Sequence, residues 1–167
     1  VAKAGTVHLG GTAAEIVQAE REIGAGRMPE RPFVLVGQQY VADPARANGS
    51  IVPVYAYAHV PNGFPGDATE QVIAQIERFA PGVRDRIIAI RSRSTAEAEA
   101  ENPNFVGGDI LTGAKSPVQF LLGPRISPHP YDTGVPGVYL CSAATPPGPG
   151  IHGMGGFNAA NRALSRA

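Results

Sequence analysis

The sequence predicts an α+β domain in which a mixed or antiparallel sheet carries helices on one face. Two observations support this prediction. Runs rich in Val, Ile and Leu alternate with stretches of helical periodicity, and 21 Gly and 16 Pro divide the 167 residues into many short elements. A chain of this length is also long enough to bury a core of its own.

The first two elements are a strand and a helix. Residues 5–9 (GTVHL) have strand character, and Thr12 with Glu15 forms a capping box, in which a hydroxyl and a carboxylate three residues apart satisfy the free N–H groups of a helix start. Ile16, Ala19 and Ile23 follow at helical spacing. The next glycines predict the end of this helix.

Four further segments have the composition of strands. Residues 32–38 (PFVLVGQ) are typical of a buried strand, and residues 51–60 (IVPVYAYAHV) alternate, with Pro53 indicating a sheet edge or a bulge. Residues 86–90 (RIIAI) and 138–142 (VYLCS) are predicted to be shorter strands. Tyr55 and Tyr57 share one face, where they line an apolar pocket or belong to the core.

Three further helices are predicted. One begins at a capping-box-like sequence over residues 67–70, carries Val72, Ile76 and Phe79 on one face and stops before Pro81-Gly82. A short helix is expected over residues 95–101 and a final one over residues 154–165. Between these two, residues 102–136 are mostly irregular, and long loops of this kind are often functional or pack against another part of a protein.

Composition excludes several functions. Fourteen basic residues balance fourteen acidic ones, which removes the electrostatic argument for nucleic acid as a partner. Cys141 is the single cysteine, and His8, His59 and His129 lack metal-ligand spacing, so no metal site is predicted. No signal-peptide pattern opens the sequence and no apolar run reaches the roughly 18 residues of a membrane span. We therefore expect a cytoplasmic protein.

The densest stretch is CSAATPPGPGIHGMGGFNAANRAL, residues 141–164. A strand, a glycine-rich turn and a helix start form half of a nucleotide-binding unit, because the free N–H groups and the positive end of the helix dipole attract oxygen-rich groups. No GxGxxG sequence opens a βαβ unit, however, no acidic residue follows at the distance expected for ribose binding, and the sequence contains no GxxxxGK[ST] phosphate loop. Pyrophosphate binding by this chain is therefore not expected.

The same stretch closely resembles the C-terminal signature of the phytoene desaturase-like flavoprotein family, in the branch of pyridine nucleotide-disulfide oxidoreductase domain-containing proteins. The upstream order is similar as well: GTVHLGG, RPFVLVGQ, APGVRDRI, NFVGGDI and GPR…YDTGVPGVYLC. The resemblance covers nearly the whole chain. It implies that residues 1–136 belong to a substrate domain and that residues 137–167 return as a strand and helix to an FAD-binding domain.

In this family the returning segment closes the flavin site. By position, the resemblance places Ser142 and Ala143 at the strand end, near the ribityl chain. It places Ile151, His152, Gly153 and Met154 at the helix start, against the pyrimidine side of the flavin. His152 either polarises a flavin or substrate atom or, as the simpler interpretation, forms a structural hydrogen bond. Cys141 is expected to be a buried, inert thiol, and Asp109 to bond to turn backbone rather than to a substrate.

The implied function is that of an FAD-dependent oxidoreductase, a desaturase or dehydrogenase acting on a hydrophobic substrate, of which a polyene is one example. No catalytic residue is assigned. FAD is expected to bind only together with an N-terminal FAD-binding domain, in cis or in trans, so that the chain alone is expected to be inactive. Peripheral membrane contact and a homo-oligomer stay open as partners. Two alternatives are a stand-alone, non-enzymatic binding or interaction module and an inert fragment.

Overall fold

The structure is a computed structural model that describes residues 3–111, 113, 123–150 and 152–166. The chain divides into two compact units, an N-terminal unit, Val1–Ala98, and a C-terminal unit, Glu99–Ala167. The division expected at residues 136 and 137 concerns contacts with another domain, and it stays a prediction.

The N-terminal unit contains a three-stranded antiparallel sheet. Its strands are β1 (Thr6–Leu9), β2 (Val34–Gly37) and β3 (Tyr55–Ala58), in the order β1-β2-β3. The register pairs Leu9 with Val34 and Val34 with Ala58. The predicted α+β class is confirmed, with the antiparallel alternative observed, and β3 begins two residues after Pro53, as expected for a residue that cannot donate to a ladder.

One face of this sheet forms the core of the unit. Leu9, Val34 and Val36 are buried, and Val34 has no exposed surface. Helix α2 (Thr69–Phe79) covers this face with Val72 and Ile76. The period of two along each strand brings these side chains to the same side, as the sequence pattern predicted.

The opposite face carries the two tyrosines of β3. Tyr55 and Tyr57 lie on one side of the strand with ring centroids 6.0 Å apart. Tyr55 is 47% exposed. The interpretation of Tyr55 as a core residue is therefore wrong, since the core lies on the other side of the sheet.

Helix α1 (Ala13–Gly24) begins with the predicted capping box. Thr12 N–H donates to Glu15 Oε2 at 2.8 Å, and Glu15 N–H donates to Thr12 Oγ1 at 3.3 Å. Arg31 and Arg78 contact Glu15 Oε1 at 3.2 and 2.7 Å. The hydrogen bonds from Thr12, followed by those from the two guanidinium groups, lower the pKa of Glu15 to about 2.

Helix α2 is stabilised at both ends by carboxylates. Thr69 donates both its hydroxyl and, at 2.8 Å, its N–H to Asp67 Oδ1, and these bonds, the hydroxyl bond first, lower the pKa of Asp67. Glu70 does not complete a capping box but pairs with Arg84 at 2.6 Å. At the other end, Glu77 accepts the N–H groups of Gly82 and Arg84 at 2.6 and 2.9 Å, so the chain turns where Pro81-Gly82 predicted a stop.

Two predicted strands are wrong. Arg84–Arg86 is a turn of 3₁₀-helix, and residues 87–94 have no regular structure, with Ile88 75% exposed. Residues 138–142 contribute a single bridge, between Asp132 and Tyr139. Both segments have strand composition, but neither has a ladder partner among the described residues, and a strand exists only through hydrogen bonds to a neighbour.

Both remaining helices are confirmed. Helix α3 is Thr95–Glu101, and helix α4 is Met154–Leu164 in the C-terminal unit. None of the helices in the described ranges is long and apolar enough to cross a membrane.

A glycine-lined cleft at the start of helix α4

A small cleft lies where α4 begins. Its volume is about 170 Å³. The lining comes from the end of residues 139–142, the loop that follows, and the first turn of α4; the residues are Cys141, Ser142, Ala143, Gly148, Pro149, Gly150, His152, Gly153, Met154, Gly155 and Gly156. The glycine-rich stretch thus surrounds one concave surface, as expected for backbone that approaches a ligand closely.

The residues assigned by resemblance come together in this cleft. Ser142 and Ala143 line one side, and His152, Gly153 and Met154 line the other. Ile151, the sixth assigned residue, lies outside the described residues. Their contact with a flavin stays a prediction, whereas their shared location is a property of the fold.

His152 caps the helix. Its Nδ1 accepts the N–H of Met154 at 3.0 Å, and Gly153 occupies the N-cap position with a left-handed φ of 66°. An accepting Nδ1 places the ring proton of a neutral imidazole on Nε2. The interpretation of His152 as a structural hydrogen-bonder is confirmed.

Donors in the cleft come from the backbone. Phe157 N–H makes the first bond of α4, to Gly153 O at 3.1 Å. Gly155 and Gly156 precede it, and in the part of the chain described here their N–H groups have no acceptor, as is usual for a first helical turn. Among the residues that the structure describes, no Lys, Arg, Asp or Glu lines the cleft. This part of the chain therefore offers oriented N–H dipoles without a charged side chain.

The loop packs tightly on α4. Thr145, 1% exposed, donates from Oγ1 to Ser142 O at 2.7 Å and from its N–H to the same oxygen at 3.0 Å. A Cβ on Gly155 would lie 3.2 Å from Thr145 Oγ1 and 3.3 Å from Ser142 O. A side chain at 155 would therefore push the loop and the helix apart by a few tenths of an ångström.

Cys141 and Asp109 of the C-terminal unit were also interpreted from the sequence. Cys141 is exposed and lines the cleft, so the expectation of a buried thiol is wrong, because residues 138–142 do not enter a sheet. Asp109 accepts the N–H groups of Leu111 and Gly113 at 2.8 and 2.7 Å, which confirms its role in a turn. No group of three metal-ligating side chains occurs within the described residues.

Sequence reasoning missed the residues that support the cleft. Arg162 of α4 makes a bidentate ion pair with Asp132, at 3.0 and 2.9 Å, and each side chain is 17% exposed. The hydrogen bond from Arg162 lowers the pKa of Asp132, and that pair raises the pKa of Arg162. Thirty residues separate the two, so no local spacing predicts the pair.

Comparison with known proteins finds one informative similarity. The chain is 33% identical over 93 residues to pyridine nucleotide-disulfide oxidoreductase domain-containing protein 2 from Mus musculus, a match that spans 55% of this chain and 16% of that protein. No family model matches the chain, and no solved structure does.

Proposed function

We propose that this chain is the C-terminal part of an FAD-dependent oxidoreductase and that its cleft contacts the flavin ring and ribityl chain of FAD. The observation that carries the proposal is the donor set of the cleft. Gly155 and Gly156 offer N–H groups at the positive end of a helix dipole, while no cationic side chain among the described residues lines the surface. Such a surface suits oxygens with partial or delocalised negative charge, whereas proteins that bind pyrophosphate commonly add a Lys or Arg.

The chemistry of the cleft is electrostatic. A bound FAD would supply hydride acceptance, with negative charge developing on the pyrimidine edge of its flavin. The N–H dipoles of Gly155 and Gly156 stabilise negative charge in their vicinity, and the Met154 N–H is held by His152. The residues present thus fit the pyrimidine side of a flavin, as the resemblance implies for this position. A hydrophobic substrate, such as a polyene, is part of the same proposal.

The phosphates of FAD belong to another part of the enzyme under this proposal. Residues 148–153 (GPGIHG) have the glycine spacing of GxGxxG, but they open no βαβ unit in the described part of the chain. The matched region is only 16% of the similar mouse protein. An N-terminal dinucleotide-binding domain, in cis or in trans, would supply the missing contacts. The chain alone is then expected to bind FAD weakly and to lose it on desalting.

Amide NMR of the ¹⁵N-labelled chain tests the proposal. Millimolar FAD is expected to shift the amide signals of Ser142, Ala143 and residues 153–156, and ADP-ribose, which lacks the flavin, is expected to leave them in place. Gly155→Ala should weaken the FAD response because its methyl group displaces the loop, whereas Gly24→Ala, where an added Cβ meets no atom within 4 Å, should not.

Two outcomes contradict the proposal. Equal shifts with ADP-ribose would identify a general phosphate cradle. No shift with FAD, together with no complex between the chain and an FAD-loaded N-terminal domain of its parent protein at micromolar concentrations, would favour the alternative of a stand-alone interaction module.

A further inference from the structure

Tyr131 joins the two walls of the cleft. Its hydroxyl donates to Pro146 O at 2.9 Å and accepts the Asn158 Nδ2–H at 3.0 Å. Pro146 belongs to the loop between Ala143 and Gly148, which line one wall, and Asn158 belongs to α4, whose first turn forms the other. A single phenol oxygen thus fixes the loop relative to the helix.

The backbone of Tyr131 is itself held in place. Leu140 N–H donates to Tyr131 O at 2.7 Å, and the neighbouring Asp132 accepts two hydrogen bonds from Arg162. Arg125 donates to Asp132 O at 2.9 Å. The backbone of Tyr131 is therefore held in place, and the hydrogen bond from its hydroxyl to Pro146 O holds the loop at a fixed distance from it.

The direction of the two hydrogen bonds matters. A Tyr hydroxyl has one proton, and the Asn158 amide donates to its oxygen, which leaves that proton for Pro146 O. The loop is closed locally by the Ser142–Thr145 turn. The Tyr131 side chain connects this loop to α4, because its hydroxyl bonds both to Pro146 O and to the Asn158 amide. These two hydrogen bonds, from Asn158 to Tyr131 and from Tyr131 to Pro146, form a relay. Loss or reversal of the relay is expected to free the loop from α4, while every residue that lines the cleft stays in place.

We propose that Tyr131 is a positioning residue: through the relay from Asn158 to Pro146 it sets the separation of Ser142 and Ala143 from the first turn of α4. This inference rests on the proposed function as far as FAD is concerned. The geometric part, that the hydroxyl orders the loop, holds for the chain without any ligand.

Three variants test the relay by amide hydrogen exchange of the free chain. Tyr131→Phe loses both bonds, and the protection factors of Thr145 and Gly148, whose N–H groups bond to Ser142 O and Thr145 O, are expected to fall about tenfold. Asn158→Ala leaves the bond to Pro146 possible, so a change below about threefold is expected. Tyr139→Phe removes a hydroxyl from the same unit and serves as the control.

Asn158→Asp gives a readout that a merely structural role would not move. At pH 7 its carboxylate accepts the phenol proton and competes with Pro146 O, so loop protection is expected to fall as in Tyr131→Phe. Protonation turns the carboxyl into a donor, so protection should return between about pH 5 and pH 3, around the ordinary pKa of Asp. The wild-type chain at the same pH values corrects for general acid effects.

FAD binding then separates this inference from the proposed function. If the wild-type chain shows the expected FAD shifts, Tyr131→Phe and Asn158→Asp at pH 7 should each weaken FAD binding by about tenfold, and Tyr139→Phe should not. Unchanged loop protection in Tyr131→Phe, or an Asn158→Asp variant without pH dependence, would overturn the positioning role even where FAD binds. Loss of protection in the absence of any FAD response would sustain the relay and reject the flavin.

Discussion

The N-terminal unit buries Leu9, Val34 and Val36 between its sheet and α2, whereas the buried residues in the described part of the C-terminal unit are the small Ala159 and the polar Thr145. In the C-terminal unit, order comes from hydrogen bonds and one half-buried ion pair instead. Apolar burial is non-directional, while hydrogen bonds fix distances and angles. Apolar burial therefore stabilises the N-terminal unit, whereas hydrogen bonds in the C-terminal unit fix the positions of its backbone groups.

The largest effect is expected in the core of the N-terminal unit. Val34→Ala removes two methyl groups from a side chain with no exposed surface and should lower the free energy of unfolding by on the order of 2 kcal/mol. Val54→Ala, at a position 55% exposed, is the matched control. Residue-specific amide signals during urea unfolding measure both. An equal loss in the free energy of unfolding of the C-terminal unit would show that the two units do not unfold independently.

The ion pair of the C-terminal unit gives the next effect. Arg162→Gln removes the bidentate partner of Asp132, so the protection of amides in α4 and in residues 139–145 should fall about tenfold, with the sheet unchanged. Arg46→Gln breaks the exposed pair with Asp43 and should have almost no effect. Hydrogen exchange followed by NMR distinguishes the two variants.

Acid should weaken the N-terminal unit through Glu15. Its folded pKa of about 2 lies below the ordinary value of 4.5, so its stabilising contribution is complete above pH 4.5 and is lost as the pH falls towards 2. The difference in Tm between the wild-type chain and Glu15→Gln should therefore be full at pH 7 and shrink below pH 4.5. A difference that stays constant down to pH 3 would contradict this assignment.

The smallest effect compares two neighbouring glycines of α4. An added Cβ at Gly156 meets no atom within 4 Å, so Gly156→Ala should stabilise the helix by about 0.5–1 kcal/mol. At Gly155 the contacts with Thr145 and Ser142 oppose the same gain, and no net stabilisation is expected. Urea unfolding of the C-terminal unit measures the pair. Equal stabilisation by alanine at both positions would show that the loop moves away from the added Cβ at little cost in free energy.

Features with a local sequence signal were predictable. Thr12 and Glu15 stand three residues apart, so the capping box and its helix follow from the sequence alone, and the glycines of residues 148–156 identify the cleft. Residues 86–90 and 138–142 failed as strands because a ladder depends on a partner remote in sequence. The hydrogen bond between Tyr131 and Asn158 could not be predicted for the same reason, because 27 residues separate the two and neither belongs to a recognisable motif.

The capping box of α1 has one further consequence. Glu15 places a carboxylate of the chain itself against the start of its own helix, so this helix carries its anion internally, while the described residues at the start of α4 are His152 and glycines. The two helix starts follow similar glycine-rich turns, yet only the start of α1 has a carboxylate of the chain among its described partners. Loss of the Glu15 carboxylate would therefore leave the N–H of Thr12 without this internal acceptor.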